Sequence, residues 1–287
     1  MDKANKDYFL TARLHGMMEN MGKIISNDNY YDQIKKLNVL HYAGEVSYYI
    51  QAPLRWAEKK LIASIHKGSK ILDVGCGSGR FSIGIAQMGY NVTGLDITPE
   101  AIIAAEKKAK NLELKNAHFF VGDMTDMPFN DNDYDFVFCP RFSINAVATF
   151  QRRQKAIQEM MRVVKPGGFV YIESFNRFYL GKGPVLLLRK IFSDAARILG
   201  IMFCFILRKR YKGLLPGDIV YEANKVASAS KGYAHLPTIF ELKKMVPARS
   251  SPKFFSIPEI LNKDKTDLFK YFRYSIWILI AKSNVKN

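Results

Sequence analysis

The chain has 287 residues, 48% of them hydrophobic, which is enough apolar material for one sizeable core or for one core with an elaborated lid. Its three cysteines, Cys76, Cys139 and Cys204, lie far apart without a CxxC pair, which argues against a disulfide framework or a zinc knuckle and fits a reducing, cytoplasmic setting. A formal charge of +17 would draw nucleic acid, an anionic membrane surface or an acidic substrate, but the lysines and arginines are spread along the chain, so charge alone chooses none of them.

Residues 1–66 are helical in pattern and hold Tyr30, Tyr31, Tyr42, Tyr48 and Tyr49. Charges stand where a signal peptide needs an apolar stretch, and no run reaches the roughly 18 uncharged residues of a spanning helix. From Lys70 onward, apolar strands alternate with helical patterns. "KILDVG" reads as a strand, "RFSIGIAQMG" as a helix, "NVTGLD" as the next strand and "TPEAIIAAEKKAKN" as the next helix. Thr98 is a natural N-cap there, with Pro99 at the first helical position and Glu100 at the positive dipole end. "AHFFVGD", "YDFVFCP" and "GGFVYIES" give three further strands, the last preceded by the helix in "VATFQRRQKAIQEMMRVVKPGG". Strands joined by crossover helices imply a doubly wound α/β sheet with both faces covered.

Such sheets bind ligands beyond the carboxyl ends of their strands, and Asp73, Asp96 and Asp123 end the first three. Any one of them could be a mere turn former; three in register point to a site. After Asp73 come Gly75, Gly77 and Gly79, a sharp turn with bare backbone. Arg80 stands where a dinucleotide fingerprint places its last glycine, and a surface position on the helix is expected for it. Asp96 can accept both hydroxyls of a ribose, so the loop is expected to hold a nucleoside.

In order and spacing, "ILDVGCGSGRFS", "VTGLDIT", "VGDMTDMPFNDNDYDFVF" and "VVKPGGFVYIES" resemble the successive motifs of class I S-adenosylmethionine-dependent methyltransferases. The resemblance implies a Rossmann-like seven-stranded sheet with an antiparallel last strand, and S-adenosylmethionine as cofactor. It implies that Gly75, Cys76 and Gly77 let the backbone approach the methionine and ribose, and that Asp73 orients the amino group. Asp96 would take the ribose hydroxyls with Ile97 on the adenine, Asp123 the adenine amino group with Met124 over the ring. Cys139 and Pro140 would lie beside the methionine portion. An acidic site with bare backbone suits a sulfonium ligand, which has no phosphate to neutralise.

The expected organisation is an N-terminal helical arm over the cofactor (1–66), the cofactor-binding core (67–174), a lid inserted after the fifth strand (175–236), and a C-terminal helix with the final hairpin of the core (237–287). Within the lid, residues 184–210 read as one or two helices, and 218–225 with 232–236 as a hairpin. Its apolar run, "ILGIMFCFIL", has three readings: packing on the core, lining a pocket for a lipophilic acceptor, or lying in a membrane interface between the basic flanks "LRK" and "LRKRYK". His235 is a candidate base and equally a helix-capping histidine; Arg141 could face an acidic acceptor or solvent. No spacing suggests a metal site. The expected activity is methyl transfer to a small, lipophilic acceptor, with an RNA or protein acceptor, or a non-catalytic cofactor-binding protein, as alternatives.

Overall fold

The computed structural model describes residues 30–179, 188, 191–200, 214–222, 231–247, 250–262, 266–267 and 273–283. Five strands run parallel: β1 (Lys70–Val74), β2 (Asn91–Asp96), β3 (Ala117–Val121), β4 (Tyr134–Cys139) and β5 (Val164–Phe175). β9 (Ser275–Ala281) adds antiparallel to β5, and β8 (Lys253–Phe255) antiparallel to β9. The resulting seven-stranded sheet has the order β3-β2-β1-β4-β5-β9-β8. The order reverses between β1 and β4, where the connections that follow the two strands run to opposite faces of the sheet and open a crevice at their carboxyl ends.

The pleat of β1 shows why these runs are strands. Ile71 and Leu72, both fully buried, point to opposite faces and join two separate cores. On one face lie α3 (Arg80–Ala86) and α4 (Pro99–Asn111), which bury Phe81, Ile85, Ile102 and Ala105 against Ile71 and Val92. On the other, α5 (Phe150–Val163) and α6 (Ile239–Met245) bury Ile157, Met160, Leu242 and Met245 against Leu72, Val137 and Ile278. Thr98 occupies the N-cap of α4, but its side chain makes no capping bond; the Thr98 N–H donates to Asp96 Oδ1 at 2.9 Å instead.

Two further pieces lie outside the sheet. β6 (Asp218–Glu222) and β7 (Lys231–His235) form an antiparallel ribbon, Asp218 opposite His235, as the alternation in this region predicts. The turn between them lies outside the described residues, as does most of the stretch 184–210, of which 191–200 is helical. α1 (Tyr30–Tyr49) lies on the ribbon, packing Ile34 against Val220 and Tyr233. Asn38 fixes its register, accepting from the Tyr233 N–H (2.8 Å) and donating to the Ala146 carbonyl (2.9 Å).

Candidate active site

A cavity of about 530 Å³ opens at the carboxyl ends of β1, β2 and β4, within the usual range for small-ligand sites. The glycine loop after β1 forms its floor. The Leu95 carbonyl accepts from the N–H groups of Gly75 (2.7 Å) and Cys76 (3.1 Å), which folds the loop back over β2. Gly75 has φ +73°, and a Cβ there would lie 2.4 Å from the Cβ of Ser143, so no other residue fits. Gly77 has φ +53°, and a Cβ on it would meet nothing within 4 Å; its bare face looks into open space.

Three acids surround this loop in different states. Asp73 is fully buried; Ser82 Oγ donates to its Oδ2 at 2.6 Å, while its Oδ1 has no partner. Burial pushes its pKa up to about 7, assisted by the charges of Glu58 and Asp96 and opposed by Ser82 and Arg80. Asp96 accepts from the N–H groups of Gly77 (2.8 Å) and Thr98 (2.9 Å); burial raises its pKa despite those bonds. Asp123 is desolvated too, but its pKa is held low by donors: the Thr125 N–H (2.9 Å), the Lys35 ammonium (2.9 Å) and the Tyr31 hydroxyl (2.7 Å).

The other half of the cavity is aromatic. Phe142 and Phe175 stack with centroids 3.8 Å apart, and Tyr274 meets both edge-on at 5.5 and 5.3 Å. Across from them the Tyr42 and Tyr221 hydroxyls lie 2.9 Å apart, and Ile219 and Ala234 of the ribbon complete the wall. The loop after β4 is held in a costly conformation, with Arg141 at φ 56° and Phe142 at φ 65°. Three bonds fix it: the Arg141 N–H to Glu173 Oε2 (2.8 Å), and Ser143 Oγ to the carbonyls of Gly75 (3.1 Å) and Pro140 (3.0 Å).

The structure thus brings Asp73, Gly75, Cys76, Gly77, Asp96, Ile97, Asp123, Met124, Pro140 and Arg141 to one cavity wall. It does not bring Cys139 or His235 there. Cys139 points into the core, where burial drives its thiol pKa far up. His235 is buried with Nδ1 2.8 Å from Asp218 Oδ1 and Nε2 3.3 Å from Glu241 Oε1, so both ring nitrogens face carboxylates away from the cavity lining. Arg80 also departs from expectation. Instead of a surface position it has 8% exposure, with Nη1 and Nη2 donating to Glu58 at 2.8 and 2.6 Å and Nη1 to the Pro53 carbonyl at 2.9 Å. Glu58, on α2 (Trp56–Ile62), also holds Arg55, which pairs with Glu173 of β5, so the charges close into a network behind the glycine loop.

The sequence leads one to expect a helical arm over the cavity, but not which residues of α1 face it. Tyr31, Lys35, Asn38, Tyr42 and Val46 all line the cavity, and their spacing of four, three, four and four marks one helical face that could have been found. Among the described residues no cluster of three or more His, Cys, Asp or Glu side chains could hold a metal ion.

Comparison with known proteins agrees with this architecture. A family model described as a methyltransferase domain matches residues 65–200. The demethylmenaquinone methyltransferase of Geobacillus sp. is 34% identical over 121 residues, covering 41% of this chain and 50% of that protein; the one from Bacillus cereus is 34% identical over 119 residues, covering 40% and 48%. The chain therefore spans about half the length of the curated relatives it matches. A solved S-adenosylmethionine-dependent methyltransferase of Methanosarcina mazei superimposes with TM-score 0.57 at 23% identity, over 81% of this chain and 99% of that one. A Streptomyces caelestis methyltransferase superimposes with TM-score 0.60 at 11% identity, over 85% and 98%. Both share the fold.

Proposed function

We propose that this chain, which belongs to the class I S-adenosylmethionine-dependent methyltransferases, transfers the sulfonium methyl group of that cofactor to a small lipophilic acceptor. The observation that carries the reading is the unpartnered, buried Oδ1 of Asp73 in the same cavity lining as the bare face of Gly77. A buried acceptor without a donor is costly, and a ligand amino group removes the cost. When bound, S-adenosylmethionine supplies an electrophilic methyl on a cationic sulfur.

In this reading Asp73 takes the amino group of the methionine part, and Gly75, Cys76 and Gly77 lie against it with exposed backbone. Asp96, whose oxygens keep lone pairs beyond their two backbone bonds, receives the ribose hydroxyls. Ile97 and Met124 pack on the adenine, and Asp123 accepts its amino group in exchange for the Tyr31 hydroxyl. Pro140 stands beside the methionine portion, with Cys139 packed behind it. The acceptor occupies the aromatic half, where Phe142, Phe175 and Tyr274 exclude water and fit a flat, apolar ring. Positioning two reactants in line then carries most of the rate enhancement; the methyl leaves sulfur for the acceptor atom, S-adenosylhomocysteine is released, and an acceptor atom that begins protonated gives its proton to solvent. A demethylmenaquinone, for which the relatives are named, is the first acceptor to test, in its oxidised and reduced forms. RNA or a protein side chain has only the charge of +17 in its favour.

The test is parallel incubation with methyl-labelled S-adenosylmethionine and a demethylmenaquinone analogue, a bacterial lipid extract, total RNA or a protein extract. Label in an organic-phase product is expected. Label found only in RNA or protein would move the acceptor to the other class, and tight cofactor binding without any turnover would make the chain a non-catalytic binding protein.

A further inference from the structure

The helical segment over residues 191–200, taken with Leu188, has its polar side turned toward the protein. Asp194 pairs with Arg177 and accepts from the Gly217 N–H at 3.0 Å; Arg197 donates to the carbonyls of Leu215 (3.2 Å) and Asp218 (3.0 Å). Its apolar side faces out. Phe192 is 71% exposed, Leu199 65%, Leu188 51%, Ile191 49% and Ile198 47%. Positions 188, 191, 192, 198 and 199 fall on one face of a helix. A surface helix normally shows the reverse arrangement, and single exposed apolar residues need no explanation, but five on one face form a patch that a partner covers.

Charge selects the partner. Between residues 180 and 213 the sequence carries eight basic residues against one acidic, and that one, Asp194, is already paired with Arg177. A second copy of a chain of charge +17 would meet like charge across such a contact. An anionic lipid surface offers both an apolar layer for the phenyl and leucyl side chains and negative headgroups for the cations that flank the segment in sequence. We infer that this outward face docks the protein on an anionic membrane surface. The segment is fastened to residues 215–218, and Ile219, the next residue, lines the cavity. Docking therefore brings the cavity wall to where a lipophilic acceptor dissolves; only this last consequence rests on the methyl-transfer reading.

The experiment is co-sedimentation of the full chain with vesicles of phosphatidylcholine alone or mixed with phosphatidylglycerol, at low and high salt. The expected result is binding to the mixed vesicles, reduced by salt, and reduced about tenfold or more in the double variant Phe192→Ser, Leu199→Ser, which adds no charge. Absence of binding to mixed vesicles at low salt would overturn the inference. So would unchanged binding by the double variant, which would leave charge alone as the cause, or ultracentrifugation showing a dimer that the double variant abolishes, which would assign the face to a second copy. Calorimetry with S-adenosylmethionine keeps the two readings apart, because both side chains are exposed and cofactor affinity is expected to be the same in wild type and variant.

Discussion

Asp73 shows at a single residue how this site prepares for a cation. Its burial favours the protonated form, so the folded chain binds a proton there that the unfolded chain has lost between pH 3.8 and about 7. The sign follows: with a folded pKa above the unfolded one, this carboxyl lowers stability as pH rises across that window, and a bound cation reverses the preference by favouring the ionised form. Cofactor affinity should therefore rise with pH through about 7, with a proton released on binding, measurable by calorimetry in buffers of different ionisation enthalpy; Asp73→Asn should abolish the release. Asp96→Ala should weaken S-adenosylmethionine binding by about 1–3 kcal/mol, the scale for a charge-assisted hydrogen bond, and an unchanged affinity would refute the ribose assignment. Arg80→Ala is a stability test. It leaves Glu58 buried with Arg55 as its remaining cation, and a loss of about 3 kcal/mol in denaturant unfolding is expected, the low end for opening a buried pair. The sequence could not show this role, because the partner of Arg80 lies 22 positions away on a separate helix.

Among the elements, those whose stabilising contacts are local could be read from the sequence, and those held by distant partners could not. β1, β2 and α4 announce themselves through short apolar runs, glycine turns and the Thr98-Pro99-Glu100 start. α1 is different. Its docking depends on Tyr30 donating to Asp218 across 188 positions and Tyr31 to Asp123 across 92, pairings that no local pattern encodes. The ribbon it rests on was readable as a hairpin, while the burial of His235 between Asp218 and Glu241 was not. These contacts predict that Tyr30→Phe combined with Asn38→Ala loosens α1 specifically. Hydrogen exchange over residues 30–49 should speed up while β1 and β4 keep their protection; equal acceleration everywhere would mean that α1 and the sheet open as one unit.

For the molecule as a whole, four motifs placed the strands of the sheet and the acidic end of the cavity, because each couples a strand to the turn that follows it. The aromatic end assembles from α1, the loop after β4, the end of β5, the ribbon and Tyr274, segments separated by most of the chain, and only the folded structure joins them. The two ends divide the labour proposed here: acids and bare backbone for a cationic nucleoside, stacked rings for an apolar acceptor. The most direct test of that division is isothermal titration of the purified protein with S-adenosylmethionine and S-adenosylhomocysteine, with NAD as control. Binding of both sulfur ligands and not of NAD is the predicted result; NAD binding, or no binding of either sulfur ligand, would contradict the assignment of this cavity.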